Sequence, residues 1–121
     1  MKTGIFAISV MIIVAISVTL NSIFLHKAIT GFIEDASALD VNVSSAYEEA
    51  NTIRDRFSDK EPFISLSVNH EDLTNIEEFY AELIGYLKVD MTDEAEVTKS
   101  RLLDALTHLR RLSGVNIDSI I

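Results

Sequence analysis

A long apolar stripe runs through the first half of the chain. Between residues 25 and 57, apolar or small residues recur at alternating steps of four and three, with charged residues between them. This spacing predicts one helix over 25–57 with one apolar face. Such a face needs packing partners, because each buried large side chain is worth about 1.5–3 kcal/mol. The stripe consists of Leu25, Ile29, Phe32, Ala36, Leu39, Val43, Ala46, Ala50, Ile53 and Phe57.

An apolar segment without charged residues, 4–25, precedes this stripe. About 22 residues at 1.5 Å each span about 33 Å, enough to cross a bilayer core of about 30 Å. A cleaved signal peptide is the competing interpretation, but its apolar region is usually about 7–15 residues long and ends in a small-x-small site. Ser17-Val18-Thr19 matches that site poorly. The pattern therefore predicts an uncleaved membrane anchor over residues 1–25.

The anchor would be followed by one domain over residues 26–121. Lys2 and the α-amino group precede the span, and Lys27 follows it. This charge distribution favours a single-pass protein of the cell membrane with 26–121 outside the cytoplasm.

Two further helices are predicted in the second half. Pro62, the one proline, suits the first turn of a helix over 62–88. An alternative start is Asn69, with 63–68 extended. A third helix follows a connection at 89–92, with Asp90 or Thr92 as its cap, and Gly114 is expected to end it. The apolar tail, 115–121, is expected to pack on the core.

The predicted fold class is all-α: an N-terminal transmembrane helix continues into an antiparallel three-helix bundle with a short apolar C-terminal tail. Short connections make consecutive helices antiparallel neighbours. In this arrangement the 89–92 connection lies near the bilayer, and the 58–61 connection lies at the far end with the tail.

The net charge of the domain limits the classes of partner that it is expected to bind. The formal net charge of the chain is −9. Residues 26–121 contain all nineteen acidic residues but only nine of the ten basic ones, so the net charge of the domain is −10. An acidic surface repels phosphate backbones, so a nucleic acid is not expected as a partner. There is no cysteine. No residue set amounts to a catalytic or cofactor-binding site, so neither catalysis nor a cofactor is expected.

One histidine stands out as candidate chemistry. His70-Glu71 resembles the start of a zinc-binding H-E-x-x-H helix, but Thr74 occupies the position of the second histidine, so no metal site is predicted. His70 falls on the apolar face of its predicted helix. We expect a half-buried histidine bonded to Asn69 or Asn116, a structural or interaction site, with a pH-sensing role as the alternative.

Three small residues of the stripe, Ala36, Ala46 and Ala50, would let another helix approach closely. They form a possible helix-packing seam. The seam serves either internal packing within one chain or a homodimer or docking groove, and both interpretations remain open at this stage.

The order of these features resembles a family of small uncharacterised bacterial proteins, chiefly Gram-positive, the domain of unknown function 4363. The resemblance implies a membrane-anchored helical protein and no particular chemistry. Aromatic residues that precede the histidine in that family are represented here by Phe57 and Phe63 alone. The residues that carry the resemblance are the N-terminal span, 66–77, Leu83, Tyr86, Leu87, Leu102, Leu106, Leu109, Asn116 and Ile117.

The functional hypothesis is a membrane-anchored interaction or accessory subunit that binds a protein partner or a second copy of itself. Two alternative hypotheses also describe a binding protein. One is an extracytoplasmic ligand-sensing module, and the other is a helical-hairpin domain similar to a tetratricopeptide repeat. A ligand-sensing module requires a concave pocket of about 300 Å³ or more. An enzyme would require clustered acids, bases or a metal.

Overall fold

The computed structural model describes the backbone of residues 2–120 and the side chains of residues 2–112. Four helices and no strand occur in this part of the chain. The helices are α1 (Lys2–Ala38), α2 (Ala46–Ile64), α3 (His70–Lys88) and α4 (Thr92–Ile120). The all-helical fold class is confirmed, and so is one long apolar helix at the N-terminus.

The two halves of α1 have different surroundings. From Ile5 to Phe24, the large apolar side chains are 42–71% exposed. From Leu25 onward, one face of the same helix is buried, beginning with Leu25 itself at 3% exposure. No break in the backbone separates the two halves. At 1.5 Å per residue, the exposed half spans more than about 30 Å, so α1 is long and apolar enough to cross a membrane.

The prediction of a single helix over 25–57 is wrong, because a turn at residues 39–45 divides it into α1 and α2. The Asp40 carboxylate accepts a hydrogen bond from the backbone N–H of Asn42 at 2.9 Å. Short polar side chains of this kind stabilise turns by replacing helical hydrogen bonds. Val43 is 42% exposed and leaves the buried stripe, whereas Leu39 stays buried.

The second break is also displaced from its predicted position. Pro62 lies in the last turn of α2 and does not begin a helix. The chain then turns through residues 65–68, where the Ser65 N–H donates to the Glu61 carbonyl at 2.8 Å. Asn69 caps α3, since its Oδ1 accepts from the Glu71 N–H at 3.0 Å. The alternative start at Asn69 is therefore correct, although residues 63–68 form a helix end and a turn, not an extended segment.

Each helix contacts two others: α1 and α3 both contact α2 and α4. Two side-chain hydrogen bonds show which ends of the helices lie beside each other. Asn21 Nδ2 donates to Ser67 Oγ at 2.9 Å, which places the turn between α2 and α3 beside the apolar half of α1. Lys99 Nζ donates to the Leu39 carbonyl at 2.6 Å, which places the first half of α4 beside the other end of α1. The extra turn at 39–45 reverses the direction of every later helix, so the 89–92 connection lies toward the Leu39 end of α1 and not, as predicted, beside the apolar segment.

An aromatic cluster occupies the centre of the core. The ring of Phe57 lies 5.3 Å from Phe32 and 5.4 Å from Tyr80. Tyr80 is 1% exposed, and its hydroxyl has no hydrogen-bond partner among the described side chains. Burial raises the pKa of Tyr80, and the charge of Asp35 raises it further. The remaining buried apolar residues are Leu25, Ile29, Ala36, Leu39, Val41, Ala46, Ala50, Ile53, Ile64, Leu73, Ile76, Leu83, Ile84, Leu87, Ala95, Leu102, Leu106 and Leu109.

The last helix is longer than predicted. The α4 backbone continues through Gly114 to Ile120, so the expected stop at Gly114 is wrong. The expected packing of the 115–121 tail on the core concerns side chains outside the described residues.

The end of α3 contains a left-handed residue that is not glycine. Asp90 has φ of 59°. The Met91 N–H donates to the Tyr86 carbonyl at 2.9 Å, and the Asp90 N–H donates to the Leu87 carbonyl at 3.3 Å. These bonds form the helix-ending motif that usually carries glycine at the left-handed position. Asp90 thus ends α3 and does not cap α4.

Replacement of Asp90 by glycine should increase the free energy of unfolding by about 0.5–1 kcal/mol, because glycine adopts positive φ without steric cost. The measurement is denaturant unfolding of the full chain in mild detergent micelles. Asp90→Asn is the matched control, since it removes the same charge but keeps a side chain. An equal gain in both variants would assign the effect to charge and contradict the conformational explanation.

Candidate functional site

The predicted polar site around His70 does not form as expected. His70 is the first residue of α3, and its side chain is exposed, so the expectation of a half-buried histidine is wrong. His70 directly follows the capping residue Asn69, and the buried positions of α3 begin only at Leu73. Asn69 uses its side chain to cap the helix. The Asn116 side chain lies outside the described residues.

The three alanines of the packing seam lie in the core of this single chain. Ala36 and Ala50 are 1% exposed and Ala46 is 2% exposed. Ala36 belongs to α1, whereas Ala46 and Ala50 belong to the start of α2. Internal packing therefore already occupies these positions. That the chain binds a protein partner or a second copy of itself stays a prediction.

Two open cavities lie between α1 and α2 and share Asp35 and Arg56 in their linings, and we describe them as the two halves of one groove. Its half farther from the apolar segment has a volume of about 480 Å³. Three carboxylates line this half: Asp35 of α1, and Glu48 and Glu49 in the first turn of α2. Ser45 donates a hydrogen bond to Glu49 at 3.1 Å. We call this half the acidic groove.

The half nearer the apolar segment has a volume of about 270 Å³ and a different charge. Lys27 of α1 and Lys60 of α2 line it, together with Arg56 and the acids Asp35 and Asp59. Arg56 Nη1 lies 3.5 Å from Asp35 Oδ2, and this ion pair lines both halves. We call the nearer half the basic groove.

Two carboxyl groups lie side by side between α2 and α3: Glu61 is near the end of α2, and Glu77 belongs to α3. Glu61 and Glu77 share a side-chain hydrogen bond, which raises the pKa of Glu61 to about 7. Partial burial of Glu61 and the negative charge of Glu77 raise that pKa further. A shared proton relieves the repulsion between two adjacent carboxylates. The pair therefore responds to pH near neutrality.

Sequence reasoning missed both the grooves and the carboxyl pair. Each one joins residues of two separate helices, whereas the sequence pattern predicts one helix over 25–57 and a helix start at Pro62 and so does not bring these residues together. The turn-favouring residues Asp40, Asn42, Ser44 and Ser45, which alternate with two valines, were the signal available for the first break. Once that turn is recognised, α1 and α2 become neighbours and their charged residues can be compared.

Among the described side chains, those of residues 2–112, no group of three or more potential metal ligands lies close enough together to hold an ion. The exposed His26 and His108 add no ligand to His70. No family model, curated protein or solved structure matches the chain.

Exchange of Asn69 for alanine should lower the free energy of unfolding by about 1 kcal/mol, since the Glu71 N–H loses its capping acceptor. His70→Ala, at the next position, should change it by less than about 0.5 kcal/mol because the histidine side chain is exposed. Both variants are measured by denaturant unfolding of the full chain in micelles. A larger loss for His70→Ala than for Asn69→Ala would restore the buried-histidine interpretation.

The carboxyl pair predicts a pH dependence of stability. The raised pKa of Glu61 means that the folded chain holds this proton more firmly than the unfolded chain does. The contribution of this proton to the free energy of unfolding is complete below about pH 4.5 and is lost as the pH rises to about 7. Glu77→Gln should remove this dependence and, above pH 7, increase the free energy of unfolding by less than about 1 kcal/mol, because water screens exposed charges.

The matched control for that prediction is Glu78→Gln, which removes one charge from the neighbouring exposed position of α3. Unfolding of both variants is followed between pH 4.5 and 8 in the same micelles. If Glu78→Gln flattens the pH curve as much as Glu77→Gln, the dependence comes from the net charge of the domain and not from the pair.

Proposed function

We propose that this protein is a single-pass membrane protein whose uncleaved N-terminal helix carries an acidic antiparallel helical bundle, and that the bundle acts as an interaction or accessory subunit. One observation carries the proposal: within the unbroken helix α1, the large apolar side chains are exposed up to Phe24, and one apolar face is buried from Leu25 onward. An exposed apolar surface of that length is costly in water and favourable in lipid.

The continuity of α1 also supports an anchor over a cleaved signal peptide. The candidate cleavage residues, 17–19, lie inside the helix. Thr19 Oγ1 donates to the Ala15 carbonyl at 2.8 Å, a local bond within that helix. Beyond it, Asn21 bonds to Ser67, so contacts of the domain begin before the apolar segment ends. The anchor and the domain thus share one structural element.

The role as an interaction subunit follows from what the domain offers to solvent. Its helices enclose an apolar core, and residues 26–121 carry a net charge of −10. A folded acidic domain at a membrane surface suits a protein partner with a complementary basic patch, through electrostatic attraction. The proposal also includes the placement of residues 26–121 outside the cytoplasm. It further includes membership in the family of the domain of unknown function 4363.

The ligand-sensing alternative is favoured by one feature, the acidic groove, whose volume of about 480 Å³ exceeds the size that a small ligand requires. Its open shape and three carboxylates would suit a cationic ligand. The contact between α1 and α4 speaks against the tetratricopeptide-like alternative, because stacked hairpins leave their first and last helices apart.

The anchor is tested by alkaline carbonate extraction of membranes and by the intact mass of the membrane-bound product. The full chain should remain in the membrane with an intact N-terminus. Replacing Ile12 and Ile13 by arginine should release it, because each arginine at the centre of a span costs about 2.5–3.5 kcal/mol. These side chains are 54% and 62% exposed and lie outside the core.

Leucine at the same two positions is the matched control and should leave the chain in the membrane. A wild-type product that is soluble and begins near residue 20 would contradict the anchor.

A further inference from the structure

The basic groove lies immediately beyond the proposed membrane span. Phe24 is the last exposed residue of the apolar segment, and Lys27 follows three residues later, about 4.5 Å along the helix axis. The hydrogen bond between Asn21 and Ser67 brings the end of α2 to this level, so Lys60 reaches the same groove from the other side. Two lysines from separate helices therefore converge at the height of lipid headgroups.

The charge of this groove is unusual in an acidic domain. Of the nine bases among residues 26–121, three line it. Arg56 is paired with Asp35, but no described carboxylate forms an ion pair with Lys27 or Lys60. With Asp59 as the remaining acid, the lining carries a net charge of +1 in a domain of −10. The two lysines are available to an anion.

The wall of the groove suits a lipid more closely than a free ion. Ala28, Gly31 and Phe32 supply an apolar side next to the lysines. A Cβ built on Gly31 would meet no atom within 4 Å, so the missing side chain leaves this wall open. The apolar face of α1 continues from the groove toward Phe24 and the span. A molecule with an anionic head and an apolar tail could contact all of these surfaces together.

We propose that the basic groove binds the phosphate headgroup of an anionic phospholipid, with Lys27 and Lys60 on the phosphate and the acyl chains along the exposed half of α1. This inference rests on the proposed function, since it requires α1 to cross the bilayer. The same contact would hold the acidic domain at one orientation above a membrane, with its acidic groove directed away from the lipid.

The test uses the full chain in nanodiscs of mixed phosphatidylcholine and phosphatidylglycerol. Native mass spectrometry counts the lipids that remain bound after release. A lysine near an anionic surface is worth about five-fold in binding, so phosphatidylglycerol should be enriched by an order of magnitude or more at low salt. Lys27→Gln combined with Lys60→Gln should return the ratio to that of the bulk lipid.

A second variant tests shape without changing charge. Gly31→Leu should fill the groove and reduce the enrichment, and it should fold because the position is open and leucine favours a helix. The matched control is Lys88→Gln combined with Arg101→Gln, which removes two exposed charges from α3 and α4. The control should retain the wild-type enrichment. Equal losses in the control would overturn the proposed site.

A separate arm measures thermal unfolding in phosphatidylcholine nanodiscs with added inorganic phosphate. Stabilisation by phosphate that disappears with Lys27→Gln and Lys60→Gln, without enrichment of phosphatidylglycerol, would identify a free anion as the occupant and overturn the lipid proposal. Carbonate extraction distinguishes a failure of the lipid proposal from a failure of the proposed membrane anchor. If wild type stays in the membrane but shows no lipid enrichment, only this inference fails. If wild type is extracted, the anchor itself fails.

Discussion

The burial of one face of α1, from Leu25 to Ala36, is the interaction on which the other features depend. These residues join the apolar segment to the domain through a continuous helix, and α2 and α4 pack on them. Helical backbone satisfies its own hydrogen bonds in lipid and in water alike, so one element can cross between the two solvents. The surroundings of the apolar side chains change at Leu25: before it they are exposed, and from it onward one face of the helix is covered by protein.

The turn at residues 39–45 determines what α1 packs against. An unbroken helix to Phe57 would extend its apolar stripe far beyond the rest of the domain. By reversing there, the chain brings Phe57 back to 5.3 Å from Phe32, and the second half of the stripe covers the first. The Lys99 bond to the Leu39 carbonyl satisfies a backbone acceptor at the end of α1 and attaches α4 to the same turn.

The same reversal distributes charge along the groove between α1 and α2. Glu48 and Glu49 lie at the end away from the apolar segment, whereas Lys60 lies near it beside Lys27. The Arg56–Asp35 ion pair lines both halves. Because α1 and α2 run in opposite directions, residues far apart in the sequence share each half. The charge pattern of the surface is thus a consequence of topology.

The sequence by itself determined the all-helical class, the apolar segment and the core positions of the first stripe. These depend on local spacing, and the stripe from Leu25 to Phe57 is buried at every position except Val43. Only the tertiary structure decided where the helices end and which ones meet. Periodicity of four and three continues through a tight turn when both flanking helices bury the same face, so the pattern could not reveal the break. The grooves, the carboxyl pair and the exposure of His70 all followed from that break and from the shift of the α3 start, because contacts between helices are set by direction and register and not by composition.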